Sequence, residues 1–259
     1  MKSELTIEIT VLGTGTSQGV PVIACACDVC LSTDSKDKRL RSSIMFTVNG
    51  KNYVIDTGPD FRQQMLNANV KTLSAVLFTH EHKDHVAGLD DVRAFNFKER
   101  RDMEIYCTLA VEEALKREFS YVFGDNPYPG IPRLNINRIS KNPFKINDID
   151  IIPIEVMHYK MPVLGFRIGD FAYITDAKTI SDEEKTKLKG TKIIMVNALR
   201  LTDHIAHFNL EQALAFIDEI QPERAYLTHI SHLLGTQEEI ERVLPKNVFV
   251  AYDGLILRT

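Results

Sequence analysis

Residues 80–85 read His80-Glu81-His82-Lys83-Asp84-His85 and follow the apolar run Leu73 to Phe78. Three imidazoles and a carboxylate thus fall within barely two turns of chain. So placed, they would repel or desolvate one another unless a cation joined them. Imidazole and carboxylate are ligands of zinc, and they also suit manganese and iron. A lone histidine is more often a core or surface residue than a ligand, and a charged turn can simply be solvated. The H-x-H-x-D-H spacing is specific enough to favour a metal site over both.

Six residues cannot close two metal sites, so further ligands must come from elsewhere, and the apolar segments indicate where. His158 follows Ile151-Ile152-Pro153-Ile154-Glu155-Val156, Asp176 follows Phe171-Ala172-Tyr173-Ile174-Thr175, and His229 follows Ala225-Tyr226-Leu227-Thr228. These runs read as strands. Each candidate stands where an apolar segment stops, as His80 does. Strand ends held by a sheet supply the fixed geometry that a metal site needs.

In this order the residues Thr79 to His85, His158, Asp176 and His229 resemble the metallo-β-lactamase superfamily of metal-dependent hydrolases. The resemblance runs from Leu12-Gly13-Thr14-Gly15-Thr16 to Tyr252-Asp253-Gly254. It implies an α/β (α+β) fold, a four-layer αββα sandwich. It also implies two catalytic divalent metals (zinc, or manganese or iron): one on His80, His82 and His158, the other on Asp84, His85 and His229. Asp176 would bridge them, its charge offsetting the repulsion between the cations. Two such ions ionise a shared water, the metal-bound hydroxide of this chemistry, and clamp the attacking and leaving oxygens. Asp84 belongs to that catalytic centre.

A second cluster, Cys25-Ala26-Cys27-Asp28-Val29-Cys30, holds three of the four cysteines at C-x-C-x-x-C spacing. In a long chain without a secretory signal, such spacing points to metal rather than disulfides. Structural zinc takes four closed ligands, which leaves one to find. Cys107 is one candidate, although Glu104-Ile105-Tyr106-Cys107 reads as a strand, where a free cysteine is a small buried hydrophobe. His232, in Thr228-His229-Ile230-Ser231-His232, is the better one. The lead-in Gly13-x-Gly15-x-x-x-Gly19-x-Pro21, the cysteine run and the T-H-I-S-H segment together resemble the phosphoribosyl cyclic phosphodiesterase (PhnP-type) branch of the superfamily. That resemblance implies one structural zinc on Cys25, Cys27, Cys30 and His232, beside the catalytic centre.

The glycines of Gly13-Thr14-Gly15-Thr16-Ser17-Gln18-Gly19 match neither the dinucleotide pattern nor a P-loop, and no helix is expected after them to receive a phosphate. They read as a tight turn close to the metal site. Two histidines remain, His204 and His207. Asn209 and Gln212 resemble a capping box, and Leu210, Ala213, Leu214, Ile217 and Ile220 recur at helical spacing. His207 therefore lies on a loop just before a helix. Resemblance to the same branch gives it the role of proton donor to the departing alkoxide, for which histidine is suited near neutral pH. Asp203, His204 and Arg200 have weaker claims.

Stepping outward, 259 residues with 44% apolar and 25% charged composition can bury the core of one compact enzyme unit over residues 1–259, with the zinc element around 25–30. No apolar run is long enough to cross a bilayer, and the N-terminus alternates like a first strand rather than a signal peptide, so a cytoplasmic enzyme without a membrane partner is expected. A net charge of −4 disfavours polynucleotide binding. The runs Lys36 to Arg41 and Lys98 to Arg101 read as solvated surface.

Strands are expected at 5–12, 43–49, 52–57, 73–79, 104–108, 149–156, 163–168, 171–175, 192–197, 224–228 and 247–250. Helices are expected at about 60–68, 86–98, 110–120, 181–189, 209–220 and 236–243, with capping boxes at Ser181/Glu184 and Thr236/Glu239. Tyr121 to Pro132 reads as a long loop, a lid or specificity element in which Tyr128 contacts ligand. The function these residues favour is hydrolysis of a small phosphodiester, cyclic ones included. A tRNA-processing endonuclease and a thioester or lactone hydrolase are the enzyme alternatives, and a zinc-bearing scaffold is the non-enzyme one. The sequence is silent on oligomeric state and leaves a homodimer open.

Overall fold

A computed structural model describes residues 6–124 and 128–259. Strands β1 (Glu8–Gly13), β2 (Ser43–Val48), β3 (Lys51–Ile55), β4 (Ala75–Leu77), β5 (Met103–Cys107) and β6 (Leu134–Arg138) run in that order across one sheet. The first pairings are antiparallel and those from β3 onward are parallel. The second sheet repeats that logic. Strands β7 (Phe144–Ile146), β8 (Ile149–His158), β9 (Met161–Ile168) and β10 (Phe171–Ile174) are antiparallel neighbours, and β11 (Thr179–Ile180) pairs with β8. Beyond β10 come β12 (Ile193–Asn197), β13 (Arg224–Thr228) and β14 (Val248–Val250), all parallel. The chain returns to the first sheet as β15 (Ile256–Arg258), antiparallel to β1.

Helix α1 (Asp28–Leu31) lies in the excursion between β1 and β2. Helices α2 (Phe61–Asn67), α3 (Lys83–Val86), α4 (Arg93–Glu99), α5 (Leu109–Glu118) and α6 (Ser120–Phe123) belong to the first half, and α7 (Asp182–Thr186), α8 (Leu210–Ile220) and α9 (Gln237–Glu241) to the second.

Strand alternation builds the layers. In β2, Ile44, Phe46 and Val48 face the second sheet, where they meet Ile151, Phe166, Tyr173 and Met195. Met45, between them, faces outward with Val54, Val76 and Ile105 and packs on Phe61, Phe95, Val111 and Leu115 of α2, α4 and α5. On the far side, Ile174, Val196 and Leu227 pack on Leu210, Ala213, Phe216 and Ile240 of α8 and α9. A period of 2 in strands buried on both faces thus gives helix, sheet, sheet, helix. The expected αββα sandwich is the observed architecture.

Several expectations need correction. The helix expected over 86–98 is broken: α3 ends at Val86, a 3₁₀ turn spans Leu89–Val92, and α4 follows. Gly88 makes the turn, since a Cβ there would lie 2.1 Å from the Gly58 carbonyl oxygen. The loop expected from Tyr121 starts at Gly124, because α6 runs to Phe123; positions 125–127 of that loop, like position 5 of the first strand, lie outside the described residues. Strands β6, β7, β11 and β15 and helices α1 and α6 were not expected. Ser181 accepts from the Glu184 N–H, but the Glu184 carboxylate is buried against the Glu155 N–H and Lys187, so no reciprocal box forms there. The boxes at Asn209/Gln212 and Thr236/Glu239 are present. No helix among the described residues is long and apolar enough to cross a membrane.

The run Lys36 to Arg41 is no solvated surface. Arg39 and Asp37 are buried. The Arg39 guanidinium donates to Thr14 Oγ1 (3.0 Å), the Ala251 carbonyl (2.7 Å) and Gln237 Oε1 (2.7 Å), so three segments satisfy its N–H groups, while Asp253 and Asp37 offset its charge. Nearby, Asp253 accepts from Thr14 Oγ1 and the Leu40 N–H. Burial pushes its carboxyl up to about 6. Because the unfolded carboxyl titrates near ~4, the folded chain binds the extra proton between ~4 and ~6, and this group's contribution to stability falls as pH rises through that window. Asp253→Asn is therefore expected to gain stability relative to the parent across that range, read as a melting-temperature difference. A difference independent of pH contradicts the assignment.

Candidate metal centre

The ligand candidates gather at one rim, where strands of both sheets end. His80 follows β4, His82 to His85 form the start of α3, His158 closes β8, Asp176 follows β10 and His229 follows β13. Open α/β sheets place their sites at such carboxyl ends. Asp176 and His229 have left-handed backbones, φ 59° and 54°, as does Asp56 after β3, φ 67°. For histidine this is an uncommon conformation, of the kind that clusters at functional sites.

Asp176 is central. It shares one candidate ligand group with Asp84, His85 and His229, a second with His80 and His82, and a third with His158 and His207; within each, the ligand atoms lie within 4.8 Å of one another. Its oxygens are 3.6 Å from His80 Nε2, 3.5 Å from His85 Nε2 and 3.2 Å from His229 Nδ1. His85 Nε2 is also 3.2 Å from Asp84. His158 stands somewhat apart from the two histidines expected to share its metal, its ring centroid 5.1 Å from His82 and 5.8 Å from His80, and is nearer His207 at 4.5 Å.

Hydrogen bonds behind the rings decide which nitrogen faces the cluster. The Thr79 hydroxyl donates to Asp56 Oδ2 at 2.8 Å, so it accepts from His80 Nδ1 at 2.9 Å. Asp56 Oδ2 also receives His85 Nδ1 at 2.7 Å, and the Ala206 carbonyl receives His158 Nδ1 at 2.9 Å. In each ring the Nδ1–H is committed, so the neutral ring carries its lone pair on Nε2. His80 Nε2 and His85 Nε2 are buried with no hydrogen-bond partner. A buried orphan acceptor is costly, and two converging on carboxylates are what a cation would satisfy. The residues fit a metal.

Electrostatics agree. Burial, then the charge of His85, drives His80 well below its ordinary pKa. For His85, burial opposes protonation, but Asp176, Asp56 and Asp84 outweigh it and raise the ring well above the usual range. Burial likewise opposes ionising Asp176, yet His229 and His85 hold it well below a normal carboxylate. The cluster gathers positive charge around its acids, and a metal would supply that charge while releasing the proton.

Asp56 was missed in the sequence; its only signal was an acid after the apolar strand β3. It orients His85 directly and His80 through Thr79, the carboxylate–histidine arrangement that fixes metal-ligating imidazoles. Asp56→Asn is expected to weaken metal affinity and activity ~10–100-fold; unchanged values for both contradict this role. Thr16 and Ser42 were also missed: they bracket His229, Oγ1 of Thr16 at 3.0 Å from Nε2 and Oγ of Ser42 at 3.2 Å from Nδ1. Thr16 comes from the glycine turn, which does lie close to the site. A Cβ on Gly13 would sit 2.0 Å from the Arg41 carbonyl, so glycine there permits the close approach of two segments.

Beside this cluster Cys25, Cys27, Cys30 and His232 form a further group. His232 Nδ1 is 3.3, 3.3 and 3.6 Å from the three sulfurs. Tetrahedral zinc bonds to sulfur and nitrogen imply ligand edges of roughly 3.5 Å. The Cys30 backbone and His232 lower Cys27 to about 6, whereas burial raises Cys30 to about 11. Cys107 lies in the core, where burial raises it to about 12, and it joins no ligand group among the described residues. A helix does follow the glycine turn: α1 carries Cys30, with Cys27 at its N-cap.

The remaining candidates serve the walls. His207 is buried, between His158 and His229. His204 Nδ1 accepts from the Ala206 N–H, Arg200 braces the Thr202 and Asp203 carbonyls, and Asp203 pairs with Lys178. Tyr128 lines a groove with Phe97, Arg100 and Arg133 that includes no candidate ligand.

Residues 51–230 match the family model of the beta-lactamase superfamily domain. The chain belongs to the metallo-β-lactamase superfamily. Within it, a solved diphosphatase of the PhnP family superposes with a TM-score of 0.93 at 37% identity, over 98% of each chain. Zinc-bound PqqB of Methylobacterium extorquens shares the fold, with a TM-score of 0.79 at 20% identity over 96% of this chain and 99% of that one. An octanoyltransferase of Porphyromonas gingivalis is 41% identical over 94% of this chain, which spans 50% of that protein's length.

Proposed function

We propose that the chain is a dinuclear metal-dependent phosphodiesterase acting on a small phosphodiester. The observation that carries this reading is the pair of buried, partnerless Nε2 atoms of His80 and His85 converging on Asp176. His80, His82 and His158 would hold one metal, Asp84, His85 and His229 the other, and Asp176 would serve both; zinc, manganese or iron suits these ligands. Cys25, Cys27, Cys30 and His232 would hold a structural zinc. When bound, the catalytic pair supplies an ionised water and concentrated positive charge for an in-line displacement.

The chain's own residues do the rest. Asp56 and Thr79 hold His80 and His85 in one orientation, and the Ala206 carbonyl does so for His158. Burial, followed by His229, lowers His207 to about 3, so its resting ring is neutral. That differs from a ready-charged acid at neutral pH. A phosphate anion alongside raises such a pKa, so the ring can take up a proton from solvent at its partnerless Nδ1 and give it to the departing alkoxide, returning to the neutral form.

Likeness to a PhnP-family diphosphatase supports attack at phosphorus. The likeness to half of an octanoyltransferase favours a second reading, hydrolysis of an acyl thioester. A panel of cyclic and linear phosphodiesters, thioesters and lactones separates them. Turnover of phosphodiesters is expected; turnover of carbonyl substrates alone overturns the proposal.

A further inference from the structure

We infer that the hollow beside His82 and His158 is a subsite for the base of a nucleoside phosphate, walled by Tyr159 and Ile205. This deepens the phosphodiesterase reading and rests on it. The hollow has a volume of about 540 Å³ and adjoins the cluster directly, since His82 and His158 line it. That volume accommodates a nucleoside. By contrast, the groove at Tyr128 shares no residue with the candidate ligands among the described residues.

The two walls come from different segments. Tyr159 stands at the tip of the hairpin joining β8 and β9, its backbone left-handed at φ 57°. Ile205 and Ala206 come from the loop before α8. The 2.9 Å bond from His158 Nδ1 to the Ala206 carbonyl ties hairpin and loop together and fixes the gap between the walls. Tyr159 is 52% exposed and Ile205 65%. Single exposed apolar side chains are ordinary; these share one hollow with two candidate ligands. Met161 lines the same hollow.

Ligand chemistry follows from the walls. A hollow lined by an aromatic and an aliphatic side chain takes a flat ring, and every base offers one. The Lys160 ammonium lies over the Tyr159 ring, 5.3 Å from its centroid, and brings positive charge to the hollow's rim for an anionic ligand. A bare sugar phosphate would leave both apolar walls wet, and an acyl chain would gain no stacking.

The experiment compares adenosine 2′,3′-cyclic phosphate with the base-free methyl riboside 2,3-cyclic phosphate, using the metal-loaded parent, Tyr159→Ala, Tyr159→Phe and Ile205→Ala. The parent is expected to prefer the nucleoside ~10-fold or more in kcat/KM, from stacking. Both alanine variants should lose that preference through KM, with the base-free substrate unchanged, and Tyr159→Phe should keep it. Equal use of both substrates by the parent, or equal losses on both in the variants, overturns the subsite. Bis(4-nitrophenyl) phosphate tests the underlying reading separately. Saturation-transfer NMR on the adenine protons of AMP reads the contact without turnover: a signal in the parent and in Tyr159→Phe that disappears in Tyr159→Ala supports the subsite even if no phosphodiester is hydrolysed, and no signal in the parent rejects it.

Discussion

Asp176→Asn is expected to lower kcat/KM at least ~10³-fold while leaving the fold intact. Asparagine tolerates the left-handed backbone at this position nearly as well as aspartate does. It keeps the side chain's shape, and it can still accept the 2.7 Å hydrogen bond from Thr175 Oγ1. What it removes is the charge shared by three ligand groups. In the proposed dinuclear centre two cations would then repel with nothing between them, and the several kcal/mol that such a pair gives a transition state would be lost. Metal analysis should show catalytic metal depleted and the metal at the cysteines retained. Activity within tenfold of the parent, at full metal content, contradicts a central role for Asp176.

His232→Ala has the second largest expected effect, and it acts at a distance. Removing one of four ligands opens the group formed with Cys25, Cys27 and Cys30, so one zinc should be lost while the catalytic metals remain. The consequence reaches the active rim because the cysteine excursion is stitched to the His229 loop. The Thr16 N–H donates to the Ile230 carbonyl at 3.0 Å, the Ile230 N–H donates to the Thr14 carbonyl at 2.8 Å, and Thr16 Oγ1 touches His229. Freeing the excursion loosens that ring. A fall in melting temperature of several degrees and a loss of activity of about tenfold, from misplacement of one ligand, are the expected results. Unchanged metal content instead places the fourth ligand elsewhere.

The sequence was most legible where ligands are local or end a strand. His80 to His85 declare themselves by spacing, and His158, Asp176 and His229 by standing where apolar runs stop. Cys25, Cys27 and Cys30 are equally plain, and the structure brings His232 rather than Cys107 to them. Asp56 was not legible, because an acid after a strand is ordinary and its contact with His85 spans 29 positions. Arg39 was misread for a related reason. Its partners Ala251 and Gln237 lie 212 and 198 positions away, and nothing local announces them. Strand β6, with only Leu134 and Ile136 as apolar residues, is recognisable only by its parallel pairing with β5, and β15 only by its return to β1. Non-local pairing leaves little trace in a window of a few residues, whereas a motif whose parts are neighbours leaves a clear one.

The measurement that bears most directly on the metal cluster is anomalous X-ray scattering from crystals of active protein, recorded on either side of the zinc, manganese and iron edges. Two peaks flanking Asp176 and a third, at the zinc edge, among Cys25, Cys27, Cys30 and His232 are expected. Active crystals without a peak beside His80 and His82, or without one beside Asp84, His85 and His229, would contradict it.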